Sequence, residues 1–176
     1  MPRTEQAELF ASAAGPPGFL YRAQFISMAE ERELLRRIGA LPLEQARYKD
    51  YTARRRVASF EGDAPEFLRA LKDRVAAWVE VRASALSHAL VAEYTPGTPL
   101  GWHRDMPQYE LVCGVSLAAA CRMRFRAYAA PRRTYSLELA PRSAYVLRDE
   151  VRWRWEHSIP AASALRYSIT FRTLAQ

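Results

Sequence analysis

From about His88 onward the chain breaks into short runs rich in Val, Tyr, Ile, Phe and Trp, closed by Pro, Gly or charged turns. Eight runs can be marked, at 88–94, 100–105, 110–118, 121–128, 134–139, 143–148, 151–158 and 165–173. Many short strands at near-regular spacing indicate a sandwich or barrel. Eight of them fit a jelly roll, a double-stranded β-helix whose two sheets close over a pocket.

The residues before His88 read differently. Gly15-Pro16-Pro17-Gly18 is a strong loop signal, ending an arm over 1–18. Phe19 to Ile26 reads as a first strand. Ser27 opens a helix with Glu30 at the capping-box position, and Met28, Leu34, Leu35 and Ile38 give it an apolar stripe that Gly39 and Pro42 end. Residues 43–63 read as a polar, basic loop or hairpin. Asp63 then caps a second helix, with Pro65 in its first turn, Glu66 at the capping-box position, and Phe67, Leu68, Leu71, Val75, Trp78 and Val79 at helical spacing. Helices that precede the strands are expected to buttress one sheet. The fold class expected is α+β: mainly β, with N-terminal helices.

At 176 residues, 49% of them hydrophobic, the chain suits one packed domain over 19–176. Its 26 basic residues outnumber its 19 acidic ones, for a net charge of +7, and only Lys49 and Lys72 are not arginine. That balance fits an anionic partner such as nucleic acid as well as it fits an ordinary solvated arginine surface. Cys113 and Cys121 sit in apolar, strand-like surroundings and form no CxxC pair, so buried free thiols are expected rather than a disulfide or a thiolate metal site. There is neither a basic-then-apolar leader nor an apolar stretch of membrane-spanning length. The expectation is a soluble cytoplasmic monomer.

The chain has three histidines, His88, His103 and His157. His103-Arg104-Asp105 places an imidazole and a carboxylate on one face of an extended segment, because side chains two apart point the same way. His157 follows on a later strand. Two imidazoles and one carboxylate form the facial triad of non-haem iron(II) oxygenases, which leaves coordination positions open. A satisfied core or surface histidine is the competing reading of His157, and His88, which lacks a partner pattern, reads as structural.

The last strand, Arg166-Tyr167-Ser168-Ile169-Thr170-Phe171-Arg172, alternates strictly. Arg166, Ser168, Thr170 and Arg172 share one face. If that face looks inward, the two guanidinium groups need anions, and a dicarboxylic acid would supply them. If it looks outward, they are solvated. The arginines lie roughly 20 Å apart along the strand.

Together, His103-x-Asp105, His157 and Arg166-x5-Arg172, with Glu93-Tyr94-Thr95-Pro96-Gly97 just upstream, resemble the AlkB family of iron(II)- and 2-oxoglutarate-dependent oxygenases. The likeness spans roughly residues 90 to 173. It implies His103, Asp105 and His157 as iron ligands, with O2 as the oxidant. It further implies Arg166 on the distal carboxylate of 2-oxoglutarate, Arg172 on the iron-proximal one, and Tyr94 and Ser168 beside the cosubstrate. Ala92 and Ser168 stand where repair members often carry Asn, and Pro107 where some carry an acidic residue.

The activity this resemblance implies is oxidative demethylation of alkylated single-stranded DNA or RNA, a DNA-repair role that releases formaldehyde and succinate. Arg54, Arg55 and Arg56 lie where such enzymes place substrate-covering loops, so phosphate contact is expected there. Arg122, Arg124 and Arg126 form a second stripe, opposite Cys121, Met123 and Phe125, that either follows phosphates or is a solvated strand face. Trp102, Tyr145 and Trp155 are candidate walls of a dry pocket. The alternatives are an oxygenase acting on a protein side chain or small molecule, and an inactive jelly-roll binding module.

Overall fold

The structure, a computed structural model, describes residues 15–48, 51–130 and 133–176; most of the arm read over 1–18 therefore lies outside the described residues. The chain opens with β1 (Phe19–Arg22), helix α1 (Met28–Ile38), the hairpin of β2 (Glu44–Tyr48) and β3 (Tyr51–Glu61), and helix α2 (Arg69–Val79). Then come β4 (Leu86–Tyr94), β5 (Leu100–His103), β6 (Tyr109–Leu117), β7 (Cys121–Ala127), β8 (Thr134–Leu139) and β9 (Ala144–Leu147). A short helix α3 (Asp149–Arg154) runs directly into β10 (Trp155–Ile159), and β11 (Arg166–Leu174) closes the fold.

The strands form two antiparallel sheets, a large one ordered β1-β9-β6-β11-β4-β3-β2 and a small one ordered β5-β10-β7-β8. This is the expected double-stranded β-helix with helices on one side, and the eight expected strand segments are β4 to β11. Alternation decides what each face of the large sheet does. Ala89, Val91, Cys113, Val115, Ile169 and Phe171 turn toward the helices, against Leu34, Ile38, Leu71, Val75 and Val79. Burying a side chain such as Phe171 or Ile169 there contributes roughly 1.5–3 kcal/mol. The opposite face meets the small sheet through Val112, Met123, Phe125, Tyr145 and Leu147. Both cysteines are buried and free.

Helix α1 starts as its sequence requires. The Ser27 side chain accepts from the Glu30 amide at 3.1 Å, and the Glu30 carboxylate accepts from the Ser27 amide at 2.7 Å. Met28, expected in the apolar stripe, is instead exposed, because the buried stripe begins further along with Glu31, Leu34 and Ile38. The first strand ends at Arg22 rather than Ile26: Gln24 adopts φ 51°, and the chain turns so that Phe25 and Ile26 enter the helix-side core.

Two further expectations change. Asp63 caps no helix. Pro65 is extended at φ −51°, ψ 145°, a 3-10 turn covers Glu66–Leu68, and α2 proper begins at Arg69 with no side-chain cap. The strand read over 151–158 is helical in its first half, with Asp149 and Glu150 in the first turn and Arg152 and Arg154 in the last, the charge placement a helix dipole favours. The Val-Arg-Trp-Arg-Trp alternation imitates a strand there. The polar segment 43–63 is the expected hairpin.

Candidate metal and cosubstrate site

Between the sheets lies a pocket of about 690 Å³. His103, at the end of β5, and Asp105, just beyond it, face β10, where His157 pairs directly opposite His103. One donor atom from each of the three falls within 4.8 Å of the others. Donors bound to one ion at roughly 2.1 Å can be at most about 4.2 Å apart, so a contraction of under an ångström encloses a cation. The two imidazole rings are 4.3 Å apart, and His157 Nε2 is 3.5 Å from Asp105 Oδ2.

The protonation states suit a cation. The Nδ1–H of His103 donates to the Gly101 carbonyl at 2.8 Å; since a carbonyl only accepts, the lone pair sits on Nε2. Burial, helped by the positive side of His103, holds His157 down at about 3, so its imidazole is neutral near pH 7. Burial pushes the Asp105 carboxyl up, but His157, Arg172 and His103 together outweigh it and hold the group at about 2. Two neutral nitrogens and one carboxylate are a donor set that fits iron(II).

Strand β11 supplies the opposite wall. Arg166, Ser168, Thr170 and Arg172 all line the pocket, so the arginine-bearing face looks inward. Arg172 stands at the triad end, donating from Nε and Nη2 to Asp105 Oδ1 at 3.3 and 3.0 Å. Arg166 stands at the other end, 2% exposed. Its Nε donates to Ser116 Oγ at 3.2 Å, its guanidinium lies 5.1 Å from the Tyr94 ring centre, and its Nη1 is buried with no hydrogen-bond partner. A buried donor without an acceptor is costly and fits a cosubstrate carboxylate. Tyr94 adjoins both Ser168 and Arg55; burial pushes its hydroxyl up, and the charges of Arg55 and Arg166 overcome this and lower it.

The other sequence candidates divide. Strand alternation splits the arginine run. Arg55 faces the pocket and donates to the Tyr94 hydroxyl at 3.2 Å, whereas Arg56 pairs with Glu93 at 2.7 and 3.1 Å, and Arg54 donates to the Gly97 carbonyl at 3.3 Å. Arg122, Arg124 and Arg126 do lie opposite the buried Cys121, Met123 and Phe125, but Arg126 is paired with Glu156 at 2.7 Å. Tyr145 walls the pocket and lies across Gly114, where any Cβ would collide with its ring. Trp102 only reaches the rim and carries Arg124 and Arg126 at 5.0 and 4.3 Å from its ring centre. Trp155 is no pocket wall: it packs on Tyr135 and donates to Glu150. Ala92 is buried, opposite Ser168, and Pro107 lines a second recess beyond Asp105.

Three participants escaped the sequence reading. His88 is not merely structural: it lines the pocket and contacts Arg172. The period-two alternation of β4, which puts His88 on the face of Tyr94, was the available signal. Tyr109 lies under Arg172, 5.2 Å from the guanidinium carbon. Arg152, 3% exposed, donates to the carbonyls of Met106 and Tyr109 and so fixes the loop that follows Asp105. Both lack a local sequence cue.

The two-sheet barrel and the inward His-Asp-His group define a protein of the metal-dependent oxygenase class. The family model of the 2OG-Fe(II) oxygenase superfamily matches residues 1–172, and the chain belongs to that superfamily. An "Alkylated DNA repair protein ALKBH8 homolog" of Arabidopsis thaliana is 27% identical over 86% of this chain and 53% of its own length. Protein L905 of Acanthamoeba polyphaga mimivirus is 31% identical over 48% of this chain and 47% of its own. The chain thus spans about half the length of the curated relatives it matches. Among solved structures, OsALKBH1 aligns with a TM-score of 0.69 at 16% identity, covering 90% of this chain and 99% of that one. A Trichoplax adhaerens prolyl hydroxylase, in complex with a hypoxia inducible factor peptide, aligns at 0.72 and 14% identity, over 99% and 94%. These likenesses establish the shared fold. Among the described residues no helix is long and apolar enough to cross a membrane.

Proposed function

We propose that the protein is an Fe(II)- and 2-oxoglutarate-dependent dioxygenase that oxidatively demethylates N-alkylated DNA or RNA. The observation that carries the reading is the convergence of His103, Asp105 and His157 donors beside a pocket with an arginine at each end. Bound iron(II), with 2-oxoglutarate and O2, supplies oxidation of a substrate C–H bond, with succinate and carbon dioxide as co-products. His103, Asp105 and His157 hold the metal on one face. Arg166, helped by Ser168 and Tyr94, binds the distal carboxylate, and Arg172 positions the end near the metal. Tyr145 and Leu100 keep water from the interior. When the oxidised carbon is an N-methyl group, the hydroxymethyl product loses formaldehyde and leaves the free amine. Residues 19–176 acting as one domain, in a soluble cytoplasmic monomer, belong to the same proposal.

Nucleic acid is favoured as substrate by the net charge of +7, by Arg47 and Arg55 on the pocket wall formed by the hairpin, and by the relative named as a DNA-repair protein. Methylated single-stranded DNA or RNA should stimulate succinate release and yield formaldehyde plus unmethylated product, read by mass spectrometry. Stimulation by peptides instead, with gain of one oxygen, would move the substrate to a protein side chain. Oligonucleotide binding should also weaken steeply with salt, and Arg47→Ala should reduce the log–log slope by about 0.7, one phosphate contact on a single strand. Salt-independent binding would remove the phosphate argument.

A further inference from the structure

We propose that His88 is a positioning residue that fixes the guanidinium of Arg172 over the triad through a hydrogen bond requiring the Nε2–H form of its imidazole. The inference rests on the oxygenase reading, in which Arg172 holds the metal-proximal end of 2-oxoglutarate. His88 projects from β4 into the pocket and is 6% exposed. Its Nδ1 lies 3.1 Å from Arg172 Nη1, and its Nε2 lies 2.9 Å from Ser59 Oγ. A guanidinium can only donate, so Nδ1 must present its lone pair. The ring proton then sits on Nε2 and is donated to the Ser59 hydroxyl. Burial, reinforced by the charge of Arg172, keeps the imidazole below its ordinary value and therefore neutral.

The result is one directed chain, Ser59–His88–Arg172–Asp105, that joins β3, β4 and β11 to the residue after β5. Arg172 reaches Asp105 only through Nε and Nη2, both on the single oxygen Oδ1. A fork held at one oxygen can pivot about it. The contact from Nη1 to His88 removes that freedom, and the Tyr109 ring closes the remaining side, 5.0 Å from the His88 ring and 5.2 Å from the Arg172 guanidinium carbon. A guanidinium so fixed presents its donors to a carboxylate without reorganising when the cosubstrate arrives.

Two variants separate this role from ordinary packing. His88→Phe keeps a ring against Tyr109 and deletes the acceptor. His88→Asn places an amide oxygen near the position of Nδ1. With folding checked by circular dichroism, calorimetry of 2-oxoglutarate on the Mn(II)-loaded, oxygen-free protein should show His88→Phe binding about tenfold more weakly, the effect of one hydrogen bond to a charged group, and His88→Asn within about threefold of the parent. Parent-like binding by His88→Phe, or equal loss in both variants, would overturn the proposal. Nitrogen-15 NMR of the free protein gives a reading independent of the cosubstrate. His88 should show the Nε2–H tautomer, with an Nδ1 resonance that shifts in Arg172→Leu; the opposite tautomer overturns the link. If the parent shows that tautomer and shift but binds no 2-oxoglutarate, the link stands and the oxygenase reading fails.

Discussion

Asp105→Ala abolishes metal-dependent turnover of 2-oxoglutarate. The carboxylate is the one anionic donor of the triad, and it is also the group that anchors Arg172. Its removal leaves two neutral imidazoles facing a buried guanidinium, a site whose charge now repels a cation. Loss of an outer-shell partner alone typically costs about 10–100-fold in metal affinity or activity, and a ligand that is also a counter-charge should cost more. The measurements are Mn(II) or Zn(II) affinity and succinate release, with folding followed separately, because the side chain is only 8% exposed and its loss leaves Arg172 short of an anion. Asp105→Asn, which keeps shape and removes charge, should fail in the same assays while staying closer to the parent in stability. Succinate production unchanged in either variant would refute the site. A protein that binds metal but never turns over cosubstrate would match the inactive binding module instead.

How much of this was legible in the sequence depends on the range of the information. Period-two alternation is local, so the pairing of His103 with Asp105 on one face, and of Arg166 with Ser168, Thr170 and Arg172 on another, could be read directly. Which way the β11 face looks could not, because that depends on β11 lying between β6 and β4 with its other face covered by helices. His157 meets His103 only because β10 pairs with β5, about fifty residues away in the chain. The family resemblance bridged that gap; spacing alone did not. Local reading erred where two signals conflicted. Val151 to Trp155 alternates like a strand, yet Asp149 and Glu150 open a helical turn there. Pro65 forbids the early helical start that Asp63 suggests. The run Arg54 to Arg56 looked like one basic patch, but a strand splits consecutive residues between its faces, and Glu93 takes Arg56.

Arg166→Met should change affinity and stability in opposite directions. The guanidinium is almost completely buried, is held by one hydroxyl at Nε, and has no acidic partner among the described residues. Its Nη1 finds no acceptor. In the cosubstrate-free protein such a charge is a burden, since removing water from an ion costs several kcal/mol unless an anion repays it. Methionine fills a similar space with no charge and adapts to irregular cavities. The free variant should therefore melt higher, by about 2–4 °C for each 1 kcal/mol gained in a chain of this size. Binding of 2-oxoglutarate should weaken by about 100-fold, the scale of losing a desolvated, charge-assisted contact, while metal affinity stays near that of the parent because Arg166 lies at the end of β11 away from Asp105. A structural arginine would give the reverse, a lower melting temperature with cosubstrate affinity unchanged. Thermal melts in the presence and absence of 2-oxoglutarate distinguish the two, because the parent should be stabilised strongly by the diacid and the variant hardly at all.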